Sequence, residues 1–213
     1  MRTAEKNNIR LSAIADIRMG ATLRGRDATR PVPSGSCHLV RIGDISQDGE
    51  LLTSELIRIE PNDAIKEDLF LQSGDVLFPN RGGRTTALVY RLDVPRTLVG
   101  AQFFVVSPDV SRVLPEYLAW FLRSDLAARY FEGRRKGSYV PIIQRSDLAD
   151  MEIPLPSLEV QQIIVEAAGL ALKVRVIEER LAALNWSFAK ALLSQAATHQ
   201  FEIQPKEQVN EED

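Results

Sequence analysis

"LADMEIPLPSLEVQQIIVEAAG", residues 148–169, holds the signal that decides the architecture of this chain. A short apolar strand, "MEIPLP", runs into two prolines. Proline and the residue before it favour extended backbone, so the strand has a firm stop. A helical pattern then begins at Ser157 and continues without a break to about Ala196. Within it, Val160, Ala167, Val174, Leu181 and Phe188 form one apolar set, and Ile163, Leu170, Ile177, Leu184 and Ala191 form a second. The steps between them alternate three and four over four to five heptads, which is the pattern of a coiled-coil seam. Ile164, Ala168, Ala171 and Leu192 widen the stripe. At about 1.5 Å per residue such a seam spans on the order of 50 Å, whereas a body of about 150 residues has a radius of gyration near 15 Å. Two arrangements are open: a helix laid along its own domain, or one paired with another helix. The length favours pairing. No second long helix is visible in the sequence, so the partner is another copy or another protein.

Upstream the order is mixed. Residues 8–17, "NIRLSAIADI", predict a short amphipathic helix capped by Asn8. Residues 20–36 are rich in Gly, Pro, Ser and Arg without an apolar period, which reads as a long loop of the kind that often carries function. Strand-like runs follow at 38–45, 51–59, 74–78, 86–92 and 97–106, separated by turn signals. Residues 114–132 predict a helix, with Pro115 at its first position and Gly133 at its stop. The loop "EGRRKGSYVPIIQ" comes next, then a short helical turn capped by Ser146. Strands and helices without βαβ alternation predict an α+β class. The expected division is a body at 1–155, a long helix at 156–196 and a disordered acidic tail at 197–213.

The totals bound the rest. The 213 residues suffice for one substantial domain and an appendage. No stretch is apolar enough to span a membrane, and the N-terminus lacks the apolar core of a signal peptide. Cys37 is the single cysteine, which fits a reducing, cytoplasmic setting. The net charge is −3, but it is unevenly spread: residues 1–145 carry 21 Lys/Arg against 17 Asp/Glu, and residues 146–213 carry 5 against 12. Most of the basic residues are arginine, which makes forked contacts with phosphate and guanine. A mildly basic body on an acidic stalk is compatible with DNA, and equally with ordinary solvated arginines.

Signs of chemistry are missing from the sequence. His38 and His199 lie at no metal-ligand spacing, and no metal site is expected. Cys37 and His38 are neighbours in a strand-like run, so their side chains point to opposite faces. "NRGGRTT", residues 80–86, lacks the lysine and the spacing of a phosphate-cradling loop.

Several stretches together resemble the specificity subunits of type I restriction–modification systems. "IRLSAIADIRMG" at 9–20 resembles the opening of a target recognition domain, without its usual tryptophan. "LVRIGDIS" at 39–46, "LQSGDVLFPNRGG" at 71–83 and "LPEYLAWFLRSD" at 114–125 resemble later segments in the family's order. "GSYVPIIQRSDLADMEIPLPSLEVQQIIV" at 137–165 is the nearest match, with Ser157 where a second proline is common and Gln161–Gln162 where Glu–Gln is common.

The resemblance implies a non-catalytic, DNA-reading subunit. Such a subunit has two recognition domains and two long helices paired antiparallel; this sequence has one of each, which implies a half-subunit that dimerises. It implies double-stranded DNA as ligand, and methyltransferase subunits and a restriction subunit as partners, with S-adenosylmethionine on the methyltransferase and no cofactor here. A two-fold dimer with its heads about 50 Å apart would read a split palindrome, its half-sites more than one helical turn apart. The candidate base readers are Arg24, Arg26 and Arg30 in the first loop, and Arg81 and Arg84 beside Gly82 and Gly83. Arg134, Arg135, Lys136 and Ser138 have the composition of a phosphate contact or of a solvated helix end. Tyr139 and Gln144 are further candidates, with core packing the alternative for Tyr139. A second reading is a protein-interaction adaptor with no DNA role, a head on a coiled-coil stalk; the acidic tail fits it. A stand-alone nuclease or methyltransferase is disfavoured because no catalytic set is visible.

Overall fold

The structure is a computed structural model that describes residues 8–25, 28–53, 55–83, 85–135 and 141–198. Strand β1 (Asn8–Arg10) is followed by a 3₁₀ turn at Leu11–Ala13 and by β2 (Ala15–Met19). The long loop then leads to β3 (Cys37–Val40), β4 (Ile57–Ile59), β5 (Val76–Pro79), β6 (Leu88–Val89), β7 (Thr97–Val99) and β8 (Phe103–Pro108). Helices α1 (Pro115–Leu122), α2 (Asp125–Glu132) and α3 (Arg145–Ala149) precede β9 (Glu152–Pro154), and α4 (Leu158–Thr198) follows. The class is the expected α+β body followed by a long helix.

The strands form three sheets. One is antiparallel in the order β2-β8-β5-β6, one has the order β4-β3-β7 with β3 and β7 parallel, and β1 pairs with β9. Alternation along the strands explains why both faces are apolar. Val76, Phe78, Phe104 and Val106 face Tyr117, Leu118, Phe121 and Phe131 of the helices. Their neighbours Leu77, Val105 and Phe103 join Val40, Val99 and Tyr90 in a second core. On β3 and β7, Leu39 and Leu98 turn the other way, into a third core with Ile59 and Phe70. Such strands, buried on both faces, read as continuous apolar runs.

Four local expectations are corrected. The helix expected at 8–17 is two strands joined by a 3₁₀ turn. Leu11, Ile14 and Ile17 are buried at a spacing of three, which imitates a helix. Pairing to β9 and β8 overrides that signal. The run at 97–106 is split: β7 stays in the three-stranded sheet, and the chain turns at Gly100, whose carbonyl accepts from the Phe103 amide at 3.1 Å, before joining the other sheet as β8. The helix expected at 114–132 breaks at Ser124, whose side chain accepts from the Ala127 amide and caps α2. At α3 the cap is Gln144, in a reciprocal box with Asp147, and Ser146 lies inside the helix.

The chain divides into two units, Met1–Glu166 and Ala167–Asp213. The first turns of α4 therefore belong to the body. Gln161 anchors them: its side chain is fully buried, and its amide bonds Leu114, Arg112 and Pro156. In the second unit α4 runs from Ala167 to Thr198, about 48 Å of continuous helix, and its large apolar side chains are exposed. Among the described residues no helix is long and apolar enough to cross a membrane. Of the acidic tail expected at 197–213, only Ala197 and Thr198 are described, and both are helical.

Candidate nucleic-acid interface

Three segments meet at one end of the four-stranded sheet. β2 and β5 finish there, and β8 starts there, as their pairing shows: Met19 lies opposite Phe104, and Pro79 opposite Phe103. β5 exits into "NRGG". Asn80 is buried, and its side-chain nitrogen donates to the Ala101 carbonyl at 2.9 Å, while its amide donates to the Gln102 carbonyl at 2.9 Å. The other side of the same loop is stitched to the segment after α2. The Ile143 amide donates to the Asn80 carbonyl at 2.9 Å, the Gly82 amide to the Pro141 carbonyl at 2.9 Å, and Arg81 bridges to Ile142. The arginine loop and the far end of the "GRRKGSYVPII" loop, sixty residues apart in sequence, are thus one antiparallel ladder.

Glycine gives this ladder its open surface. Gly82 has φ +87°, a conformation that side chains with a Cβ rarely adopt, and a Cβ at Gly82 or Gly83 would meet nothing within 4 Å. The backbone there is open to close approach by a ligand. Arg81 is exposed beside it. A shallow polar depression adjoins the loop, lined by Gln47, Gly83, Thr85, Thr86 and Arg123. Arg123 is half-buried and donates to the Ala87 carbonyl at 2.6 Å; burial lowers its pKa, and Asp48 and Glu50 counter that. An arginine remains charged there. Asn80 and Arg123 were missed from sequence. Asn80 carries no separate signal within "NRGGRTT", and Arg123 falls in the middle of the single helix expected at 114–132.

The other expected contact residues are placed as follows. Arg24 is exposed on the first loop, and its carbonyl accepts from Asn62 at 2.9 Å. Arg30 is exposed further along that loop, which is tied to β4 by the Val32 amide on the Arg58 carbonyl at 2.8 Å. These two therefore lie on a segment held by β4 and the turn after it. Arg134 stacks 3.8 Å from the centre of the Tyr130 ring and donates to the Tyr130 carbonyl, in a depression shared with Asp147, Asp150 and Glu152. Burial raises the Tyr130 pKa, so its phenol stays neutral. Arg135 is half-buried, and its Nε and one terminal nitrogen find no hydrogen-bond acceptor among the described residues. Arg26, Arg84, Lys136, Ser138 and Tyr139 lie outside the described residues. Among the described residues no cluster of His, Cys, Asp and Glu is arranged to hold a metal ion.

Comparison with known proteins gives one consistent result. The family model for the type I restriction modification DNA specificity domain matches residues 5–168. The type I restriction enzyme HindI specificity subunit of Haemophilus influenzae is 29% identical over 100 residues, which is 45% of this chain and 22% of that protein. The HsdS subunit of Thermoanaerobacter tengcongensis superposes with a TM-score of 0.63 at 26% identity, over 90% of this chain and 48% of its own. A chain from a solved type I R-M system shares the fold, with a TM-score of 0.66 at 19% identity, over 90% of this chain and 45% of its own. This chain therefore spans less than half the length of each of these relatives. By the match over its body, the chain belongs to the type I restriction modification DNA specificity domain family.

Proposed function

We propose that this chain is a DNA-reading half of a type I specificity subunit, and that two copies pair through antiparallel α4 helices to read a split, palindromic site and recruit methyltransferase subunits. The chain supplies no bond-making chemistry in this reading. Modification would belong to the methyltransferase partner, with S-adenosylmethionine bound there, and cleavage to a restriction subunit.

The observation that carries the reading is the seam of α4. Eight large side chains on it, Val160, Ile163, Leu170, Val174, Ile177, Leu181, Leu184 and Phe188, are 43% to 66% exposed. The two apolar sets are also self-complementary when one helix is reversed. Val174 then falls opposite Ile177, Leu170 opposite Leu181, Ala167 opposite Leu184, Ile163 opposite Phe188 and Val160 opposite Ala191. Small residues face large ones in two of these layers. Burying a large aliphatic side chain contributes roughly 1.5–3 kcal/mol. Eight per copy is enough to offset an association penalty of about 4–15 kcal/mol even when each is only partly covered.

The Arg81 ladder is the proposed reading element of each head. Arg24 and Arg30 form a second basic element on the first loop. Arg134 is set outside the contact set, because three carboxylates share its depression and would repel a phosphate. Duplex-binding measurements across a salt series, with the chain alone and with a methyltransferase subunit, test this. Each phosphate contact should make log K fall by about 0.9 per tenfold rise in salt. Salt-insensitive or undetectable binding would instead support the adaptor reading, which the net charge of −3 favours.

A further inference from the structure

An apolar groove of about 800 Å³ lies in the body at the root of α4. Tyr117 and Trp120, in tilted contact at 5.6 Å, line it together with Leu126, Leu155, Val160 and Ile164. It is open to solvent: Leu126 is 58% exposed and Val160 43%. Val160 belongs to both the groove and the helix seam, so the two apolar surfaces are continuous.

We infer that this groove seats the last two turns of the second copy's α4, with the second copy's Leu192 as the side chain that enters it. The inference rests on the antiparallel pairing proposed above and deepens it. In that register Val160 lies opposite Ala191, so residues 192–198 of the second helix run on past Val160 alongside Pro156 and Leu155. The sequence changes character at that point. The seam positions after Ala191 are Gln195 and Thr198, both polar, while apolar residues move to Leu192 and Ala196 on one flank. In an antiparallel pair the flank that carries Leu192 on one helix lies on the same side as the flank that carries Ile164 on the other. That side is the one facing the body, because Gln161 is buried and Ile164 packs against the main core. The stripe therefore leaves the seam where the groove begins, and on the groove's side.

Thiol cross-linking tests the seat directly. In a Cys37→Ser background, Leu126→Cys is made in one preparation and Leu192→Cys in another; both leucines are exposed, so neither variant threatens the fold. The mixed chains, treated with a short bifunctional maleimide, should give a covalent pair of twice the chain mass that neither variant gives alone. A Leu192→Asp variant should weaken dimerisation about tenfold or more. If light scattering shows a dimer but the mixture does not cross-link, the seat is wrong and the dimer stands. A methyltransferase subunit that shields the thiol introduced by Leu126→Cys would then own the groove. A monomer, or cross-linking within the Leu192→Cys preparation alone, overturns the seat and the antiparallel pairing together.

Discussion

The Gln161 side chain accepts a hydrogen bond from the Leu114 amide at 2.9 Å, which joins the first turn of α4 to the N-cap of α1. Its nitrogen donates to the Arg112 and Pro156 carbonyls, each at 2.9 Å. One fully buried side-chain amide thereby satisfies three backbone groups. Gln161→Leu should leave the Leu114 amide orphaned and lower unfolding stability by roughly 1–3 kcal/mol, read as a lower urea midpoint at unchanged slope. An unchanged midpoint would remove Gln161 as the anchor of the helix.

Arg81 stands on the ladder and Arg84 just beyond it, outside the described residues. The double change Arg81→Ala with Arg84→Ala should lower affinity for the specific duplex at least about tenfold, since one forked arginine–guanine contact contributes about 1–3 kcal/mol. Circular dichroism and thermal melting should stay as in the parent, because Arg81 is exposed. Full-strength specific binding would exclude this loop as a reading element.

The glycines beside the ladder differ in kind. A Cβ on Gly20 would collide with the Gly100 carbonyl where β2 meets the turn between sheets, whereas one on Gly83 would meet open space. Gly20→Ala should destabilise the body by about 1–3 kcal/mol and Gly83→Ala by less than about 0.5 kcal/mol. Equal melting temperatures for the two would contradict the close approach at Gly20.

The body should also carry an acid-sensitive turn. Burial acts to raise the Asp44 pKa, but hydrogen bonds from the Arg41 side chain and amide, with the Arg41 charge, outweigh it and hold the carboxyl below its usual value. A lowered carboxyl pKa stabilises the fold above the unfolded value, near 3.9 for Asp, and that contribution is lost as pH falls through the lowered value. The stability gap between the parent and Asp44→Asn should therefore be full at pH 6 and shrink below about pH 4. A gap that widens on acidification would reverse the sign of the linkage.

How much of this was legible in the sequence depends on the range of the forces involved. The α4 seam was readable because it is a local repeat that no tertiary contact overrides, and the strand at 74–78 was readable as an apolar run, whereas the turn at Gly100 that splits the run at 97–106 between two sheets was not. The "NIRLSAIADI" segment was not. Its buried residues Leu11, Ile14 and Ile17 keep a three-residue step through a 3₁₀ turn, and only pairing with strands more than eighty residues away makes the flanks extended. The arginine loop was recognisable from its glycines, but its partner segment at 141–143 was not, because backbone bonds between distant loops leave no mark on side-chain pattern. The burial of Gln161 left no mark either, because it stands among Ser157, Glu159 and Gln162, and only packing against the body distinguishes it from them.

The central claim is that two copies of this chain join through the α4 seam. Light scattering on the purified chain measures it directly. A mass twice the chain's 23.8 kDa, falling to a single chain when Leu181 and Leu184 are both changed to Asp, is the expected result. A single-chain mass for the parent at micromolar concentration, or a dimer untouched by the double change, would contradict it.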